Sequence, residues 1–196
     1  MIHFAPLSVD RWDDLEELFG KNGVYAGCWC MWWRLTRKQF AANGSSGNRK
    51  AFKKIVTDGL VPGILAYHGK KPIGWCAVAP RAQYASLNRS PVLKPMDNQP
   101  VWSITCLYVA KLHQGKGLML QLIEAAKAHV QQMGGNIVEA YPTCDRNEGR
   151  LPPVSIFMGL PAAFGKANFR TVANPSSSKQ IMRCELPVTQ YADRDG

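Results

Sequence analysis

Apolar residues recur along this chain in two different rhythms. In "VWSITCLYV", Val101 to Val109, nine mostly apolar or small residues run without a polar face, as in a strand covered on both sides. From Leu118 the spacing changes to Leu122, Ala125 or Ala126, Val130 and Met133, which is one face of a helix laid on a sheet. Upstream, "MIHFAPL" predicts a first strand, and Ser8 is expected to cap a helix that carries Trp12, Leu15, Leu18 and Phe19 inward before Gly20 ends it. A second helix is predicted over Asn48 to Thr57, after a flexible "NGSSGN". "PGILAYHGKKPIGWCAVAP" predicts a hairpin turning at His68 to Lys71, and residues 80–100 an irregular connection. "GGNIVEAYP" predicts a further strand, Leu160 to Ala167 a short helix, and "NFRTVA" and "KQIMRCELPV" two closing strands around "NPSSS". The order is mixed α/β, with no internal repeat.

Between strand and helix the chain reads Ala110, Lys111, Leu112, His113, Gln114, Gly115, Lys116, Gly117, Leu118, Met119. The first amides of a helix have no internal partner and sit at the positive end of its dipole, while glycines remove the side chains that would keep a ligand off the backbone. Such a turn suits phosphate, with Lys116 adding a full charge beside it. Two glycines at a helix start also suit a tight strand-to-helix connection with no ligand. The turn is neither a Walker loop nor the three-glycine dinucleotide fingerprint.

Composition narrows the picture only a little. The 196 residues carry 24 Lys and Arg against 14 Asp and Glu, a formal charge of +10. Such an excess fits nucleic acid, a membrane surface or a polyanionic small ligand, but the basic residues cluster only modestly, in "NRKAFKK" and "HGKK". The six cysteines read as reduced structural thiols, and with no ligand spacing among Cys and His no metal is expected. "MIHFAPLSVD" lacks the features of a signal peptide and no run of about 18 apolar residues occurs, so a cytoplasmic protein that does not enter the membrane is expected.

The turn with its flanking elements resembles the GNAT superfamily of N-acetyltransferases. That signature is a strand ending in Val, then Arg or Gln, two residues, Gly, one residue, Gly or Ala, and an amphipathic helix; Gln114, Gly117 and Met119 occupy the three marked positions, Met119 departing from the small residue. "NIVEAYP" matches the family's splayed strand, "GWCAVAP" its third strand, and "FGKANFRTV" its final helix and strand, so the resemblance spans about residues 60–186. It implies a central, mostly antiparallel sheet flanked by helices. Residues 1–196 would form a single domain, with acceptor-side helices in 1–58, a cofactor-binding core in 59–190 and a tail in 191–196.

Carried over by position, the resemblance implies that amides of Gln114, Gly115, Lys116, Gly117, Leu118 and Met119 hold the pyrophosphate of acetyl-CoA. Leu107, Tyr108 and Val109 would take the pantetheine arm as an added strand, and a bulge would splay that strand from "NIVEAYP". A backbone amide near Leu107 would stabilise the oxyanion as a neutral primary amine attacks the thioester directly. Glu139 is the first choice for the base and Asp97 the second. The family's acidic tyrosine aligns with Phe164, which cannot donate and would pack beside the CoA sulfur, leaving water, Tyr141 or no acid at all for the departing thiolate. His113 reads as a surface or phosphate-contacting residue, and Cys106 as packing. Tyr25, Trp29, Trp32 and Trp33 are either a core corner or the wall of an acceptor pocket suited to a flat or cationic amine. Two rival readings are a non-catalytic acyl-CoA-binding module and, on charge alone, a nucleic-acid-binding domain.

Overall fold

The computed structural model describes residues 1–25, 27–144 and 157–187. Seven strands form one sheet in the order β1-β2-β3-β4-β5-β7-β6. They are β1 (Ile2–Pro6), β2 (Gly63–His68), β3 (Lys71–Pro80), β4 (Trp102–Val109), β5 (Ile137–Ala140), β6 (Arg170–Ser176) and β7 (Lys179–Glu185). Every neighbouring pair is antiparallel except β4 and β5, which run parallel because a helix joins them. The expected mixed, mostly antiparallel sheet with flanking helices is therefore present.

Helix α4 (Leu118–Gln132) covers one face of the sheet, and its buried residues Leu118, Leu122, Ala126 and Val130 follow the spacing read in the sequence. It lies close enough to β3 that a Cβ on Gly74 would come 3.0 Å from Leu122 Cδ1. The short helix α5 (Pro161–Lys166) joins this core with Phe164, while α1 (Trp12–Phe19) and the N-terminal aromatics build a second core on the other face. Strand β4 serves both. Leu107 and Val109 point to the α4 side, and Cys106 packs on the α1 side with Tyr108.

Two N-terminal expectations need correction. Ser8 does not cap α1: a 3-10 turn over Val9–Arg11 precedes the helix, and the Ser8 hydroxyl donates to Asp10 instead. The second helix is α2 (Arg37–Thr57), which starts well before Asn48 and runs through "NGSSGN". Thr36 and Gln39 close a capping box at its start, and Gly44, with φ 57° and ψ −167°, absorbs a kink that lets both halves pack. The connection over residues 80–100 also contains a short helix, α3 (Ala85–Asn88).

Candidate functional site

The turn after β4 has the form that the glycines suggested. Gly115 and Gly117 sit at φ 72° and 79°, in the left-handed region, and a Cβ on either would meet nothing within 4 Å. Open space therefore lies in front of both. Gly117 is the residue before α4, so the helix's first amides face that space. Among the described residues none accepts a hydrogen bond from the amides of Gly115, Lys116 or Gly117. Gln114 holds the turn to the strand it leaves, its side-chain amide donating to the Val109 carbonyl at 3.0 Å. Here a groove of about 410 Å³ is lined by Leu107, Tyr108, Val109, His113, Gln114, Gly115, Gly117, Leu118 and Met119, together with Tyr25 and Phe157. Unpaired amides at a helix start, next to a free strand edge, are the donor set that a phosphate-bearing ligand with an amide-containing arm requires. The residues fit acetyl-CoA.

The free edge arises at a bulge. Ala77 pairs with Cys106 and Val78 with Ile104, so Thr105 has no partner on β3 and the strand bends there. On its other side β4 pairs with β5 only over Trp102 to Ile104, opposite Val138 to Ala140. Beyond the bulge the two strands part. The Leu107 amide points into the gap, where it donates to the Phe157 carbonyl at 2.6 Å.

Across β4 from the groove lies an almost wholly apolar cavity of about 250 Å³. Phe19, Tyr25, Trp29, Trp32, Phe40 and Phe157 wall it, with Val24, Cys28, Cys30 and Cys106. It shares Tyr25 and Phe157 with the groove, so the two spaces meet beside Cys106 and Leu107. Three of the four expected aromatics, Tyr25, Trp29 and Trp32, line it. Trp33 does not; it packs against the cluster of Tyr84, Leu87 and Tyr141. Trp29 and Cys30 stand at φ 41° and 55°, a left-handed pair that turns the chain sharply over the cavity. Cys30 Sγ accepts from the Trp75 indole at 3.1 Å. The Cys106 thiol beside it and Arg34 help hold the Cys30 thiol below the usual range, whereas the Cys106 thiol is raised by that same contact and by burial. Burial pushes Cys28 up to about 12.

Glu139, Asp97 and Tyr141 are gathered at a different place, the cleft formed by residues 80–101 and Arg183. Glu139 is buried and both its oxygens are taken: Oε2 by Arg81 at 3.2 Å and the Tyr141 hydroxyl at 2.7 Å, Oε1 by Arg183 Nε at 2.7 Å. Arg183 also binds Asp97 bidentately, at 2.5 and 3.1 Å, which holds that carboxyl below its usual range. Ser103 lies 2.8 Å from the Tyr141 hydroxyl, whose ionisation burial pushes far upward. None of the three expected acid–base residues lines the groove or the apolar cavity.

Phe164, which the resemblance sets beside the CoA sulfur, belongs to α5. It is fully buried in the α4-side core, edge-on to Phe169 at 5.1 Å, and lies behind the groove without lining it. A Cβ on Gly159 would come 2.6 Å from the Phe164 ring and 3.1 Å from Leu107 Cδ1, so these residues form a packed backing to the gap. Sequence reasoning missed Phe19, Val24, Phe40, Cys28, Cys30 and Phe157 as cavity residues. Helical spacing explained Phe19 as core, and nothing local connects Phe157 to Tyr25. Among the described residues, no cluster of His, Cys, Asp and Glu forms a metal site, and no helix is long and apolar enough to cross a membrane.

Comparison with known proteins agrees with this geometry. The profile of the "Acetyltransferase (GNAT) family" matches residues 29–151. Among solved structures, a Drosophila melanogaster polyamine N-acetyltransferase that forms N-acetylagmatine is similar, with TM-score 0.59, 12% identity, and coverage of 95% of this chain and 100% of that one. The PaiA N-acetyltransferase of Thermoplasma acidophilum, solved with coenzyme A, has TM-score 0.51 at 14% identity over 94% and 99%. An acetyltransferase of Thermus thermophilus has TM-score 0.53 at 17% identity over 95% and 97%. No curated protein sequence matches the chain.

Proposed function

The chain belongs to the GNAT family of acetyl-CoA-dependent N-acetyltransferases, and from that premise we propose that it acetylates an amine held in the apolar cavity beside β4. One observation carries this reading: the cavity and the helix-start groove meet at the gap between β4 and β5, beside the Leu107 amide. Acetyl-CoA supplies an activated acetyl thioester when bound. The amides of Gly115 to Met119 hold its phosphates, and the edge of β4 from Leu107 to Val109 holds its amide-bearing arm.

In that arrangement the Leu107 amide, released from Phe157, is the donor placed to steady negative charge on the acetyl carbonyl. The walls of Tyr25, Trp29 and Phe157 exclude water and fix the amine's approach, which is the larger share of what a direct transfer needs. Glu139 and Asp97 work at a distance: by neutralising Arg81 and Arg183 they fix β5 and the loop of residues 80–101 against β4 and β7. In the absence of a donor at Phe164, the departing thiolate takes its proton from water.

The test is binding followed by turnover. Acetyl-CoA at about 100 times its dissociation constant should stabilise the protein by roughly 2.7 kcal/mol, seen as a raised Tm. Gly117→Glu should remove that rise by placing charge and bulk in the open space of the turn, while Gly117→Asn, which tolerates the left-handed backbone, should keep most of it. Release of free CoA thiol with a panel of amines then reports transfer. An unchanged Tm rise in a folded Gly117→Glu protein would remove this turn from the site, and binding without thiol release from any amine would leave an acyl-CoA-binding module.

A further inference from the structure

We propose that the acceptor is an aromatic amine that is uncharged at neutral pH, of the aniline type, and that the apolar cavity excludes ammonium ions. The inference rests on the assignment of that cavity to the acceptor. Its first support is the lining. None of the described residues around the cavity is acidic, and its surface is formed by aromatic rings, Val24 and three thiols. Burying an ammonium there without a counter-charge costs several kcal/mol.

Two of the wall rings also lie against cations of the chain itself. The Arg37 guanidinium lies 3.2 Å from the centre of the Trp32 ring, and Arg49 lies 5.9 Å from that of Trp29. Neither guanidinium lines the cavity, but each sets positive charge against one of its wall rings, which disfavours a second cation inside. Nearby carboxylates are engaged as well: Glu16 receives Arg49 and the Trp12 indole, and Asp14 the Tyr67 hydroxyl. The Cys30 sulfur already accepts the Trp75 indole N–H at 3.1 Å.

Size and chemistry agree. At about 250 Å³ the cavity falls just under the ~300 Å³ lower end of drug-sized sites, which suits one ring with small substituents. Flat rings stack on its walls, and the thiols of Cys28, Cys30 and Cys106 make soft contacts with a ring edge. An aniline nitrogen is neutral before it binds, so it needs no base to become a nucleophile. That matches a cavity whose described lining contains no carboxylate or imidazole. The proton shed after attack leaves from a much more acidic nitrogen than an alkyl ammonium, and water can take it.

A matched pair of amines tests the idea. 4-Methylaniline and 4-methylbenzylamine carry the same ring, but the second is an ammonium at pH 7. With acetyl-CoA, thiol release should show kcat/KM for 4-methylaniline roughly 100-fold above that for 4-methylbenzylamine or spermidine. Without acetyl-CoA, 4-methylaniline should still change the emission of Trp29 and Trp32, and 4-methylbenzylamine should not. Val24→Asp should lower both 4-methylaniline readouts at least 10-fold while keeping the Tm rise with acetyl-CoA, which shows the variant is folded. Preferred turnover or binding of the ammonium compounds, or no emission change with 4-methylaniline in the wild-type protein, overturns the inference. Loss of the acetyl-CoA Tm rise in the wild-type protein would instead strike at the transferase reading, and the emission readout judges the cavity independently of it.

Discussion

The Leu107 amide donates to the Phe157 carbonyl at 2.6 Å, at the point where β5 has already left β4. On the proposed reading this amide is the donor for the acetyl carbonyl, and it is satisfied from within the chain. A buried amide without an acceptor costs about 1–3 kcal/mol, so a ready partner keeps the gap stable until a ligand replaces it. Saturating acetyl-CoA should therefore move the amide resonance of Leu107 and the carbonyl resonance of Phe157 together in NMR spectra. Shifts confined to Gln114 through Met119 would show that the ligand's arm does not enter the gap.

Glu139 separates a structural from a catalytic carboxylate. It is the shared counter-ion of Arg81 and Arg183, and breaking a buried pair costs about 3–5 kcal/mol because a charge is left uncompensated. Glu139→Gln should show that loss in urea unfolding while acetyl-CoA affinity stays the same. Intact stability with turnover down by about 100-fold would instead make Glu139 the base.

His129 gives the protein a pH dependence of stability. It is buried on α4, edge-on to Trp102 with centroids 6.0 Å apart, and its Nε2 has no partner among the described residues. Burial lowers its pKa in the folded state. The unfolded chain therefore takes up the proton first, so stability is full above about pH 6.5 and falls as the pH drops from there to the folded-state pKa. Unfolding free energies measured between pH 5 and 8 should show this fall, and His129→Gln should flatten it.

Phe164→Tyr tests the position of the last helix. A hydroxyl at a fully buried site between Phe169 and Leu107 has no acceptor in the apolar core, which costs about 1–3 kcal/mol. The variant should lose that stability in thermal unfolding with little change in turnover per folded molecule. A faster reaction at high pH would place the ring at the leaving group after all.

What the sequence determined by itself is local and periodic. The unbroken apolar run of β4, the helical spacing from Leu118 and the glycines at 115 and 117 each act within a few residues, so strand, helix and open turn were legible in order. The family signature was legible for the same reason, since it is one strand, one turn and one helix in succession. Tertiary structure decided the rest, because those features depend on residues far apart in the chain. Arg81 and Arg183 meet the buried Glu139, with Asp97 joined through Arg183, and no spacing records that meeting. Thr36 and Gln39 together with a kink at Gly44 let α2 run through a segment whose composition reads as a loop. The cavity is the clearest case: Phe19, Tyr25, Trp29, Phe40, Cys106 and Phe157 come from several separate elements, and only the folded sheet gives them one common wall.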